Sequence, residues 1–133
     1  MIVNVGDEYQ GGIVAYIFNS NDNGYVKDEI HGIIVAKNDI SGKYSYREAI
    51  NICKNYKDNE KYGWFLPTQK QLNMIYEKRG LIGNFNESSY WCSYDDEERA
   101  PKHQAPVICF DKAQLINKTD IDNRCCVRPV RRF

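Results

Sequence analysis

Five cysteines (Cys53, Cys92, Cys109, Cys125 and Cys126) and two histidines (His31 and His103) are the residues of this chain best suited to nucleophilic, redox or metal chemistry. An odd cysteine count leaves at least one thiol unpaired within a monomer. No Cys-x-x-Cys occurs, and a structural zinc site needs four ligands at a tight spacing that these residues do not provide. Cys92 or Cys109 could pair with His103 as thiol and base, but neither cysteine falls at a helix N-terminus or in a basic stretch that would favour a thiolate. Gly-x-Ser-x-Gly, a phosphate-cradling glycine loop and His-Glu-x-x-His are absent. The expectation is a protein that is not an enzyme. Cys125 and Cys126, adjacent on a strand, point to opposite faces, so one of them is expected to be buried. The cysteines read as small buried hydrophobes, with one disulfide from Cys53 to the C-terminal strand as the alternative.

Two oxygen-rich stretches invite a cation. Asn19, Asn21 and Asn23 occupy positions one, three and five of a calcium loop with Gly24 at six, but position twelve is Ile30 where a bidentate glutamate is required. A polar hairpin turn is the better account. Asp95, Asp96, Glu97 and Glu98 are consecutive, and on an extended chain they diverge, as in a solvated loop. No metal and no cofactor are expected. The stretch 94–104 is charged, contains Pro101 and is flanked by strand-like segments, so it is expected to be an exposed loop, the usual home of binding residues. Tyr94 would supply apolar contact area, and Asp95, Glu97, Arg99 and Lys102 directional polar contacts. His103 and Gln104 complete the stretch, with Lys112 and Gln114 on the neighbouring hairpin.

The elements that must position these residues are readable from pattern. The 133 residues suit one domain spanning 1–133, and 27% charged residues argue against disorder. Eighteen basic residues balance eighteen acidic ones, which disfavours a nucleic-acid partner. The longest apolar runs, 11–18 and 32–36, are far shorter than the ~20 residues of a spanning helix, so no membrane insertion is expected. Met1 is followed by no basic region or small-residue cleavage site, and no signal peptide is visible. Strands are expected at 12–18 and 32–36, joined as an antiparallel hairpin. Ser45 with Glu48, and Thr68 with Gln71, form capping boxes that start two helices. Tyr46, Ala49, Ile50, Cys53 and Tyr56 give the first helix a buried stripe; Leu72, Ile75, Tyr76 and Arg79 follow in the second, with Gly80 as its C-cap. Strands then recur at 89–94, 107–110, 114–116 and 125–130, with a turn at Asp111-Lys112 and an irregular end at Pro129. Trp64 and Trp91 lie in core motifs. Strands, two helices, then strands describe an α+β domain.

Several ordered motifs carry a family resemblance. Gly63-Trp64-Phe65-Leu66-Pro67-Thr68, followed by Gln71-Leu72-Asn73 and Tyr76, then Tyr90-Trp91-Cys92-Ser93 and Val127-Arg128-Pro129-Val130-Arg131, match a Trp-x-Leu-Pro-[Ser/Thr], Tyr-Trp-Ser-Ser, Val-Arg-x-Val-Arg series. The openings 6–16 and 31–36 match as well. The chain resembles the bacterial C-type-lectin-like domains found at the C-terminus of collagen-like adhesins and in gut-bacterial surface proteins (the major paralogous domain). It is similar to the variable proteins diversified by retroelements, phage receptor-binding tips included. The resemblance implies a C-type-lectin-like fold of two helices, a short antiparallel sheet, adjacent termini and a long irregular loop region. Trp64, Leu66, Pro67, Trp91, Val127 and Val130 would then hold the scaffold. It implies a non-catalytic domain that binds a protein or glycan on another surface, extracellular, at a cell surface or on a virion. The alternative is a structural component of a virion or surface appendage whose loop contacts sister subunits, trimers being common among relatives. Three departures stand out. Cys92 replaces the usual serine, and Pro129 stands where many members carry a cysteine that could pair with one on the first helix. The Glu-Pro-Asn, Gln-Pro-Asp and Trp-Asn-Asp signatures of calcium-dependent sugar binding are missing, as is any match to the cysteine pair of the formylglycine-generating branch.

Overall fold

The computed structural model describes residues 2–57, 62–95, 102–111 and 116–133. In chain order these form β1 (Glu8–Tyr9), β2 (Gly12–Ile17), β3 (Gly32–Ala36), α1 (Tyr46–Asn55), α2 (Gln69–Glu77), α3 (Arg79–Ile82), β4 (Ser89–Trp91), β5 (Gln104–Cys109), β6 (Ile116–Asp120) and β7 (Val130–Arg132). The molecule is α+β, with two antiparallel sheets in the orders β1-β2-β3-β7 and β4-β5-β6. The expected β2–β3 hairpin is present, with a register shift between Val14 and Tyr16. Gly32 permits the close approach of these strands, since a Cβ there would lie 2.0 Å from the Tyr16 carbonyl oxygen. β7 closes the first sheet against β3, pairing Ile33 with Arg132, and the Tyr9 and Phe133 rings meet edge-on at 5.1 Å. Among the described residues no helix is long and apolar enough to cross a membrane.

Both capping boxes form. Ser45 Oγ accepts from the Glu48 amide at 3.3 Å and Glu48 Oε1 accepts from the Ser45 amide at 3.0 Å; Thr68 and Gln71 repeat the arrangement at 3.2 and 3.0 Å. Each satisfies amides that a helix start leaves without partners. α1 buries Ala49 and Cys53, but Ile50 is 40% exposed, against expectation. Ile50 sits 100° round the helix from Ala49, at the edge of a stripe too narrow to include it. α2 buries Leu72, Ile75 and Tyr76 as expected and ends earlier than expected, at Glu77. Gly80 lies inside the short helix α3, and the residue that stops the run is Gly83, at φ 80°. Arg79 is exposed; its guanidinium lies 3.9 Å from the Tyr76 ring centroid and donates to the Tyr76 carbonyl.

Three apolar clusters fill the interior. The first packs Leu72, Ile75 and Tyr76 against Ile33, Val35, Ile108, Phe110 and Val130; the second joins Ala49, Cys53 and Leu66 to Trp91, Val107, Cys125 and Val127; the third groups Val3, Val14, Ile34, Ala36 and Trp64. Both tryptophans are buried, as are Leu66, Pro67, Val127 and Val130. The expected strand 125–130 is different in form. Cys125 and Cys126 make single bridges to Tyr44 and Tyr90, and continuous pairing begins only at Val130. Cys125 belongs to the second cluster and Cys126 to the first, so they point apart as expected, but both sides are interior and both thiols are buried. All five cysteines are free thiols, so the Cys53 disulfide does not form. Burial pushes Cys53 up to about 12 and Cys125 up to about 11, the latter against the opposing pull of Lys43.

Between Cys126 and Val130 the chain turns Arg128 inward, where it is 1% exposed. Its Nε donates to the Ala36 carbonyl at 2.6 Å, Nη1 to Asp39 Oδ1 and the Asn84 carbonyl at 3.2 Å each, and Nη2 to the Gly83 carbonyl at 3.1 Å. Its guanidinium also lies over the Phe85 ring at 4.2 Å. The other oxygen of Asp39 accepts from the Tyr90 hydroxyl and, at 2.9 Å, from Asn86 Nδ2. One guanidinium and one carboxylate therefore fasten the loop after β3, the loop after α3 and strand β4 to one another.

Candidate functional site

The first candidate follows directly from the expected recognition stretch. Ser93 is clamped at the start of α2, its amide donating to the Pro67 carbonyl at 2.9 Å and its carbonyl accepting from the Gln69 amide at 2.8 Å. Tyr94 follows, half-buried, and with Gln69, Pro106, Asn117 and Lys118 it lines a cleft of about 290 Å³. Its hydroxyl is buried with no hydrogen-bond partner among the described residues, and burial raises its pKa above the ordinary tyrosine value. Asp95 lies on another side. Its Oδ1 accepts from the Lys70 amide at 3.3 Å, at the N-terminal end of α2 where a negative charge is favoured. There it borders a second cleft, of about 390 Å³, with Tyr16, Asp22, Lys70 and Arg132. Lys102, His103 and Gln104 are exposed at the start of β5, and the His103 carbonyl accepts from the Ile121 amide at 3.1 Å. Those three residues line none of the clefts described here. Glu97, Arg99, Lys112 and Gln114 lie outside the described residues. So does the expected strand 114–116 apart from its last residue, where β6 begins and runs on to Asp120.

A larger cleft, of about 470 Å³, opens on the other face of the β4-β5-β6 sheet. Its floor is Ser89, Val107 and Cys109; strand register brings Ser89 opposite Cys109 and Val107 opposite Asn117. Asn117, Lys118 and Thr119 of β6 form one wall, and Asn123 and Arg124 another. The turn that carries this second wall is held locally: the Asn123 amide donates to the Asp120 carbonyl at 3.0 Å, and Asn123 Nδ2 to Thr119 Oγ1 at 2.5 Å. Mutual backbone bonds between Tyr44 and Cys125, each 2.9 Å, bring Lys43 and Ser88 to the remaining side of the lining.

The charge of this cleft is one-sided. Lys43, Lys118 and Arg124 line it with no carboxylate among the described lining residues. Among the described residues none of the three forms an ion pair. Glu48 on α1 feels this charge, its carboxyl being held below its ordinary value chiefly by its bonds to Ser45 and, less, by the charge of Arg124, and Glu87 borders an adjoining cleft with Lys43 and Ser88. By contrast, the thiol considered for nucleophilic chemistry at Cys92 is fully buried, donates to the Pro106 carbonyl at 3.5 Å and is raised by that burial.

The sequence pointed to the edge of this region and missed its centre. Asn117, Lys118 and Thr119 form a polar run on a strand that pairs with the apolar Ala105, Pro106 and Val107. A strand with no apolar alternation was the available signal. Lys43, Ser88 and Arg124 had none, being brought together only by tertiary pairing. The chain matches no protein-family model and no curated protein.

Proposed function

We propose that this chain is a non-catalytic recognition domain that binds a protein or glycan ligand displayed on the surface of a cell or virion. The observation that carries the proposal is the pair of clefts flanking β6, about 290 and 470 Å³, which share Asn117 and Lys118 as a common wall. Concave sites of this size with a few convergent polar groups suit small or terminal ligand groups. Their shared wall, β6, pairs along its length with β5, whose Ala105, Val107 and Ile108 are buried in the core. The resemblance to C-type-lectin-like domains supports the same reading, since it rests on motifs that here build the scaffold beneath those clefts. Binding of the purified domain to glycan and cell-surface-protein arrays tests it. The expected result is a saturable hit that is lost in the Tyr94→Ala and Lys118→Ala variants. Silence of the folded domain on both arrays overturns it.

A second reading, a structural component of a virion or appendage assembled from copies of this chain, has its own observation. Tyr25, Val26 and Ile30 are large apolar side chains exposed together in the loop between β2 and β3. Light scattering across a concentration series distinguishes the two, because a strict monomer removes the assembly reading.

A further inference from the structure

Three observations converge on the larger cleft. Its described lining holds three cations and no acid, so the local field favours an anionic group there. Between the cations stand Ser88, Ser89 and Thr119 hydroxyls and the Asn117 amide, groups that both donate and accept. The Asn117 oxygen already accepts from the Lys118 amide at 2.8 Å, which turns its NH₂ to the role of donor. The floor is apolar at Val107 and Cys109. Cations, mixed donors and acceptors and an apolar floor are complementary to one ligand chemistry: a ring with a C–H face, several hydroxyls and a negative group.

We propose that this cleft binds a carboxylate-bearing saccharide, a sialic or uronic acid residue at the end of a glycan. The proposal rests on the recognition reading above and narrows it. Arg124 takes the carboxylate, because its planar fork matches two carboxylate oxygens and no carboxylate of the described residues pairs with it. Lys43 and Lys118 flank it as point charges. The hydroxyls and the Asn117 amide meet the sugar hydroxyls, and Val107 and Cys109 lie under the ring. No calcium ion takes part, since the positive charge that a carboxylate seeks is already supplied by side chains. A free phosphate or sulfate would find the cations but leave the neutral groups and the floor unused.

The test is a calorimetric and NMR titration of the folded domain, without calcium, using sialyllactose and glucuronate against lactose, glucose, sulfate and phosphate. One of the two acidic sugars is expected to bind saturably, at least about tenfold tighter than its neutral counterpart, and to shift the amide signals of Asn117, Thr119 and Arg124. Arg124→Gln and Lys118→Gln should each weaken that binding about tenfold, in a domain that still unfolds cooperatively. Lys54→Gln, on the exposed side of α1 and lining none of these clefts, should leave it unchanged. Equal binding of acidic and neutral sugars overturns the proposal, as does binding of sulfate or phosphate as tight as that of the acidic sugar. Binding that survives both cleft substitutions also overturns it. A neutral glycan or a protein bound through Tyr94 would overturn the acidic-sugar assignment and leave the recognition reading standing. Silence toward every sugar and every array would overturn both.

Discussion

Two arginines four residues apart meet opposite fates. Arg128 is almost wholly buried and spends its donors on Asp39 and on three backbone carbonyls. Arg124 is exposed at the rim of a cleft and forms no ion pair among the described residues. Residue type is the same, so the difference lies in how many acceptors the fold delivers to each. A guanidinium whose acceptors come from the chain itself is a fastening. One that faces a concave surface with no acid among its described lining residues is, on the reading proposed above, the one available to a ligand. The contrast separates structure from recognition more sharply than conformity to a motif does, because both arginines belong to the same C-terminal segment.

The sharpest way to break the comparison is to remove the buried member. Arg128→Ala would leave Asp39 with a buried charge that has lost its partner, and three carbonyls without a donor. Breaking a buried pair from one side costs about 3–5 kcal/mol, and urea unfolding should show a loss of that size or fail to find a folded state. A loss below about 1 kcal/mol, the ordinary scale of a surface ion pair, would mean that Arg128 is not a fastening and that the contrast with Arg124 is empty. The next effect is at Tyr90. Its hydroxyl donates to Asp39 and accepts from the Asn86 amide at 2.8 Å. Tyr90→Phe leaves the shape and removes both bonds, for an expected loss of about 1–3 kcal/mol at the equilibrium midpoint. Since Tyr90 and Arg128 bond the same carboxylate, the double variant should lose less than the sum of the single losses.

These same residues show what a sequence can and cannot disclose. The caps at Ser45 and Thr68 were readable because each closes within three residues of itself. The closing segment was not, because Arg128 finds its acceptors 44 to 92 positions away. Nothing local marks that arginine as interior, whereas Arg131, in the matching position of the Val-Arg repeat, is half-buried and bonds the Tyr62 carbonyl at 2.6 Å. Gly80 and Gly83 show the limit on a smaller scale. Both are plausible helix stops in sequence, and only the chain's continuation into α3 decides for the second. The expected recognition stretch is described only at its ends, where Tyr94 is half-buried rather than exposed and Lys102, His103 and Gln104 are exposed. The cations of the larger cleft escaped notice because Lys43, Lys118 and Arg124 come from three separate segments.

His31 lies between the two extremes, a cation only when its ring is doubly protonated. Its Nδ1 is 3.0 Å from the Phe133 carbonyl oxygen and its Nε2 is 3.0 Å from Glu29 Oε1. Both partners are acceptors, so only the doubly protonated ring donates to both. The bond to Glu29 chiefly, and that to Phe133 second, hold its pKa above the ordinary 6.5. A folded pKa above the unfolded one adds stability that is fully present below the unfolded value and is lost as pH rises through the folded value. The wild-type melting temperature should therefore exceed that of His31→Gln on the acidic side, with the gap closing as pH rises from about 5 to 8. Because the ring is half-buried and its Glu29 partner exposed, the gap should also shrink in salt. A gap that is constant with pH would show that the ring acts by shape alone.

The smallest effect on stability is expected where the proposed effect on binding is largest. Arg124→Gln removes a charge that no acidic side chain compensates within ion-pair distance among the described residues, and a surface substitution of this kind should change stability by no more than about 0.5 kcal/mol either way. A gain is the more informative sign. Lys43 and Lys118 line the same cleft and repel Arg124, against the attraction of Glu48, for which Arg124 is the last of the influences on its carboxyl, so deleting the charge relieves more repulsion than it removes attraction. That relief should be visible at low ionic strength and fade with added salt, as a rise in melting temperature of Arg124→Gln over wild type. Arg128→Ala should show no such dependence, because its environment excludes the screening ions. If instead Arg124→Gln destabilises the domain by several kcal/mol, the guanidinium has a protein partner after all, and the two arginines do the same work.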